Sequence, residues 1–108
     1  MILSFVKYKD IMKKLKNIHP GDVLKEEFLI PLNVTAYKLC KATLIPQTRI
    51  SEILKGNRSV TADTALRLSK YFGNSPNFWL GLQNDFDIEE ELMQKGADLK
   101  LIKRYSAN

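Results

Sequence analysis

Apolar residues recur at three- and four-residue intervals along most of this chain, broken by short polar stretches, and that spacing predicts helices rather than strands. The most informative stretch covers residues 35–57, TAYKLCKATLIPQTRISEILKGN. Thr35 offers a hydroxyl N-cap, and Leu39 and Cys40 form the apolar face of a first short helix. A turn through Thr43, Leu44 and Ile45 leads to Pro46, whose fixed φ and missing N–H suit the first turn of a second helix. In that helix Ile50, Ile53 and Leu54 point inward and Gly56 follows as the terminating C′ residue. Gln47, Thr48, Arg49, Ser51, Glu52 and Lys55 are left on a polar outer face. Two short helices joined this way read as a helix-turn-helix, with the second helix suited to base edges in a DNA major groove.

The same periodicity organises the flanks. His19-Pro20-Gly21 opens an earlier helix with Asp22, Glu26 and Glu27 in its first turns, where the helix dipole favours negative charge. Val23, Leu24, Phe28 and Leu29 form its inner stripe, and Pro31 ends it. Past the polar loop at residues 57–60, Thr61 caps a helix with Ala65, Leu66, Leu68 and Phe72 on its apolar face, and Gly73 stops it. Ser75-Pro76 starts another, in which Phe78, Trp79, Leu82 and Phe86 read as core rather than as a small-molecule pocket. Asp85, Asp87, Glu89, Glu90 and Glu91 form an acidic cluster that should face away from DNA, with a break at Gly96 before the basic Lys100, Lys103 and Arg104. The prediction is therefore all-α: a compact five-helix domain over residues 18–93, an N-terminal extension over 1–17 and a basic tail over 94–108. Across the extension and into the domain's first residue, Ile11, Met12, Leu15 and Ile18 recur at helical spacing among five lysines, which is either an arm for phosphates or a solvated face.

Composition narrows the function classes. An apolar content of 44% over 108 residues suits one domain with a modest core, and a net charge of +5 points to a polyanionic partner. The single cysteine, Cys40, excludes an internal disulfide and a Cys-based zinc site. His19 is the one histidine and stands at a helix start without other ligands at metal spacing, so neither a metal nor a cofactor is expected. With no Gly-rich phosphate loop and no base beside a nucleophile, an enzyme is not expected either. No apolar run reaches membrane-spanning length, and the expected location is the cytoplasm.

On a major groove, Gln47 can pair with adenine, Thr48 with a base or a thymine methyl, and Arg49 with guanine or a phosphate, with Glu52 on the same face. Thr35, Lys38, Lys55, Asn57 and Arg58 are the candidates for phosphates. One such helix covers too little DNA for selective binding, so a homodimer reading half-sites about 34–36 Å apart is expected.

The motif resembles the helix-turn-helix of phage repressors, except that Leu44 stands where glycine is usual and φ tends to be positive. Beyond it, HPGDVLKEEFLIPL, RSVTADTALRLSKYFG and NSPNFWLGLQNDFD make residues 18–87 similar to the HigA antitoxins of bacterial toxin–antitoxin modules. That resemblance implies a phage-repressor-like fold and dimerisation through the last helix around Phe86, Ile88, Leu92 and Met93. It also implies repression of the protein's own operon through operator DNA, and neutralisation of a cognate HigB-like, RNA-cleaving toxin. A stand-alone repressor without a toxin would present the same DNA face. MKKLKNIHPGDVL from Met12 has the short polar lead of the family; either translation starts at Met12, or residues 1–11 are an added element that contacts the toxin or the other subunit.

Overall fold

The helix starts are set by local chemistry, and most follow the capping residues of the sequence. In a computed structural model describing residues 17–107, Thr35 Oγ1 accepts from the Lys38 N–H at 3.0 Å and Ser75 Oγ from the Phe78 N–H at 3.1 Å. His19 caps the first helix: its Nδ1 accepts from the Gly21 N–H at 2.9 Å, while its own N–H donates to Asp22 Oδ2 at 3.2 Å. Thr61 holds the N-cap position of its helix, but its hydroxyl makes no capping bond there, contrary to expectation.

Five helices and no strand are found among the described residues. Helix α1 runs over Pro20–Val23 and continues as a π-helical segment, Leu24–Leu29; α2 is Ala36–Thr43, α3 Gln47–Leu54, α4 Ala62–Phe72 and α5 Pro76–Leu99. The π widening precedes Pro31, whose ring would clash with the residue-27 carbonyl in a regular α-helix, and the Ile30 N–H instead reaches the Lys25 carbonyl at 3.0 Å. Asn33 then takes φ 55°, and the chain turns into α2.

The helices close around Leu24, Leu39, Ile50, Ile53, Leu68 and Trp79, all without exposure. Phe28, Phe72 and Phe78 surround Trp79 with ring centroids 5.0–6.1 Å away, and the indole N–H donates to Asn74 Oδ1 at 3.0 Å. Gln83 is buried with both ends engaged: its carbonyl accepts from the Val60 N–H at 2.8 Å, and its amide donates to Asp87 at 2.9 Å. The loop after α3 is thereby tied to α5 by a satisfied polar pair.

Three further features depart from the sequence reading. Leu66 is 53% exposed, and Thr64 and Ser69 take inner positions of α4 instead. Gly96 does not break the chain; α5 runs through it for 24 residues, about 36 Å. Residue 46 sits just before α3, at its N-cap, rather than inside the first turn. The expected basic helix and the alternative start at Met12 lie outside the described residues.

Candidate nucleic-acid interface

Helix α3 is seated from below by Ile50 and Ile53, both fully buried, and stopped by a glycine turn. Gly56 adopts φ 79°, its N–H reaches the Ile53 carbonyl at 3.0 Å, and the Asn57 N–H reaches the Glu52 carbonyl at 2.9 Å. That pair of bonds is a Schellman closure. The same Ile53 carbonyl packs against α1 at Gly21, where a Cβ would collide with it. This explains the His-Pro-Gly run: histidine caps α1, proline fits its first turn, and glycine lets the α1 backbone approach the end of α3.

Between α2 and α3, Leu44 adopts the left-handed conformation at φ 58°, ψ 34° with its side chain 78% exposed. Ile45 turns inward, buried. The turn keeps the geometry that glycine would adopt freely, at a cost of roughly 1–2 kcal/mol. Its exposed leucine makes no compensating burial.

Gln47 and Thr48 are exposed on the first turn of α3, with Ser51 and Glu52 half-buried one turn on. Three of the side chains marked for DNA are paired within the protein. Arg58 Nη1 lies 3.1 Å from Glu52 Oε1. Arg49 is turned toward α4, its Nη1 2.7 Å from Asp63 Oδ2 and 3.4 Å from Thr64 Oγ1. Asp63 also accepts from Arg67 Nε at 3.1 and 3.2 Å, and Arg67 Nη1 donates to the Thr43 carbonyl at 3.1 Å. The two guanidiniums, Arg49 first, hold the Asp63 carboxyl below the ordinary carboxylate range. Lys38, Lys55 and Asn57 are exposed at the ends of α2 and α3, and Thr35 is exposed with its hydroxyl used in the α2 cap.

Asp63 and Arg67 were not marked from the sequence. Their spacing of four on α4 is a visible helix pair, but the partnership with Arg49, fourteen positions away, exists only once α3 and α4 pack.

Of the residues assigned to dimerisation, Phe86 is partly used inside the subunit, its ring 4.8 Å from His19 in an edge contact. Its carbonyl accepts from Asn17 Nδ2 at 2.8 Å. Ile88, Leu92 and Met93 are exposed on the second half of α5. His19 is buried against Phe86, and burial lowers its pKa despite the opposing influence of Asp22, the Arg58 carbonyl and Asp87. No helix among the described residues is long and apolar enough to cross a membrane.

Comparison with known proteins agrees with this architecture. A helix-turn-helix family model matches residues 24–79. The chain is 46% identical over 72 residues to virulence-associated protein I of Dichelobacter nodosus, covering 67% of each chain. It is 31% identical over 94 residues to antitoxin HigA-1 of Vibrio cholerae, spanning 85% of this chain and 89% of that one. Among solved structures, a HigA-family addiction module antidote protein from Coxiella burnetii superposes with TM-score 0.78 at 46% identity, over 82% of this chain and 98% of that one. The Pseudomonas aeruginosa antitoxin HigA, solved with the higBA promoter, superposes with TM-score 0.80 at 28% identity, over 84% and 100%. With the end of α3 packed through Ile53 on Gly21, the turn held at Leu44 and these relatives spanning most of its length, the chain belongs to the HigA antitoxin family of helix-turn-helix proteins.

Proposed function

We propose that this protein is the antitoxin of a toxin–antitoxin pair, binding operator DNA as a dimer through α3 to repress its own operon and neutralising an RNA-cleaving toxin by direct contact. The observation that carries the DNA half is the exposed Gln47–Thr48 pair standing over the fully buried Ile50 and Ile53. An α-helix so rooted can enter a major groove without disturbing the core, and its first turn meets the base edges. Gln47 reads adenine, Thr48 and Glu52 face neighbouring bases, and Arg49 stands beside them with its guanidinium engaged by Asp63. Thr35, Lys38, Lys55, Asn57 and Arg58 surround that helix and hold phosphates, which set register without reading sequence. The relative solved with the higBA promoter supports the DNA-binding reading.

Dimerisation follows the exposed apolar face of α5 at Ile88, Leu92 and Met93, continuous with Phe86. The toxin half rests on family membership, and the protein works in the cytoplasm, where operon DNA lies. A gel-shift titration of the purified chain on the duplex upstream of its own gene, against a scrambled duplex, tests the DNA half. Equal affinity for the two would remove sequence reading. Co-purification with the product of the adjacent small basic reading frame tests the toxin half; if no such neighbour exists, the protein is a stand-alone repressor.

A further inference from the structure

We propose that Asp63 is a positioning residue for the DNA-reading helix, holding Arg49 away from phosphates and locking α3 to the start of α4 and to the turn before it. The inference rests on the DNA-binding reading and concerns a residue outside the DNA-facing set. One carboxylate serves two guanidiniums: Arg49 on α3 at 2.7 Å and Arg67 on α4 at 3.1 Å. Arg67 passes the tie onward to the carbonyl of Thr43, the last residue of α2. Asp63, on the first turn of α4, thus holds α3 directly through Arg49 and reaches the end of α2 through Arg67.

The chemistry explains why such a tie matters. A free arginine beside the reading turn would be drawn to any phosphate, which adds affinity without discrimination. Paired with Asp63, Arg49 offers that attraction only after exchanging a charge-assisted bond. Asp63 is more than half exposed, so the pair adds little to folding stability, and its effect falls on the pose and charge of α3. The backbone cannot substitute, because Arg49 and Asp63 lie on different helices.

The test uses the full chain and three variants, Asp63→Asn, Arg49→Gln and the double variant, with Asp63→Glu as the conservative control. Affinities for the duplex upstream of the gene and for a scrambled duplex are measured across a salt series. Asp63→Asn should bind the scrambled duplex several-fold tighter, steepen the slope of log K against log salt by about one phosphate contact, ~0.9, and lower the operator-to-scrambled ratio about tenfold. Asp63→Glu should restore the parental ratio. In the Arg49→Gln background, Asp63→Asn should change neither slope nor ratio. Persistence of the shift in that background means the carboxylate merely repels DNA and overturns the proposal, as does an unchanged ratio in Asp63→Asn. If Asp63→Asn fails to fold, Asp63→Ser takes its place with the same expected fall in ratio and steeper slope, and an unchanged ratio in that variant overturns the proposal. A parental chain with no preference for its upstream duplex fails earlier, at the DNA-binding reading itself.

Discussion

Leu44 is the residue whose identity and conformation disagree. Its φ of 58° belongs to a region that costs a non-glycine residue roughly 1–2 kcal/mol, and its exposed side chain recovers none of that through burial. Leu44→Gly should therefore raise stability by about 0.5–1 kcal/mol, the relieved strain less the extra backbone entropy glycine gives the unfolded chain. Thermal or urea unfolding measures this, and a lower midpoint would show that the leucine packs on something in the folded protein. His19 contributes at a different place. Its Nδ1 accepts the Gly21 N–H, and burial against Phe86 lowers its pKa, so the folded protein holds the ring neutral. The unfolded chain binds the proton first, near its ordinary value of 6.5. The stabilising contribution is thus complete above that pH and declines as pH falls below it toward the folded value. Melting temperatures at about pH 7.5 and pH 5.5 should differ more for the parent than for His19→Asn, which keeps a capping acceptor but cannot titrate.

At the scale of elements, α3 is held from three sides, and each hold has a different origin. Ile50 and Ile53 bury it, Gly21 admits its last turn against α1, and Asp63 reaches its first turn from α4. A helix of eight residues would be marginal in water, so its order comes from this packing rather than from propensity. Surface changes on its outer face should accordingly leave the fold intact. Gln47→Ala should weaken binding to the operator by about 1–3 kcal/mol while leaving random DNA unaffected. Lys55→Ala should instead weaken both and flatten the salt slope by about one unit. Isothermal or gel-shift titrations on the two duplexes separate these patterns; a Gln47→Ala loss of equal size on both duplexes would reassign Gln47 to the backbone-contacting group.

At the scale of the whole molecule, α5 has two halves with different neighbours. Its first half carries Trp79, Leu82 and Gln83 into the core. Its second half leaves Ile88, Leu92, Met93 and Leu99 exposed, and apolar residues grouped on an open helix face suit an interaction site. Under the proposed dimer, Leu92→Asp should yield monomers by sedimentation with a melting profile close to that of the separated parent subunit. Operator affinity should fall by much more than tenfold, because two half-sites are no longer read together. A dimer that survives the charge would move the interface elsewhere.

The chain's sequence determined by itself what depends on neighbours within a turn or two. Thr35 and Ser75 cap their helices, Gly56 and Gly73 end theirs at positive φ, and the inward positions of Ile50, Ile53, Leu68 and Trp79 follow from helical spacing. The outward positions of Gln47, Thr48 and Lys55 were legible for the same reason, whereas Arg49 turns toward α4 and Ser51 and Glu52 are half-buried. Gly96 misled because a glycine late in a helix lowers propensity by about 1 kcal/mol without forbidding it, and α5 continues through it. Tertiary structure alone decided the rest. The Arg49–Asp63–Arg67 tie, the collision waiting at Gly21, the ring contact between His19 and Phe86 and the exposure of Leu66 all join residues on different helices or depend on which face a neighbour covers. Periodicity tells which side of a helix is buried but not which atom of another helix lies against it.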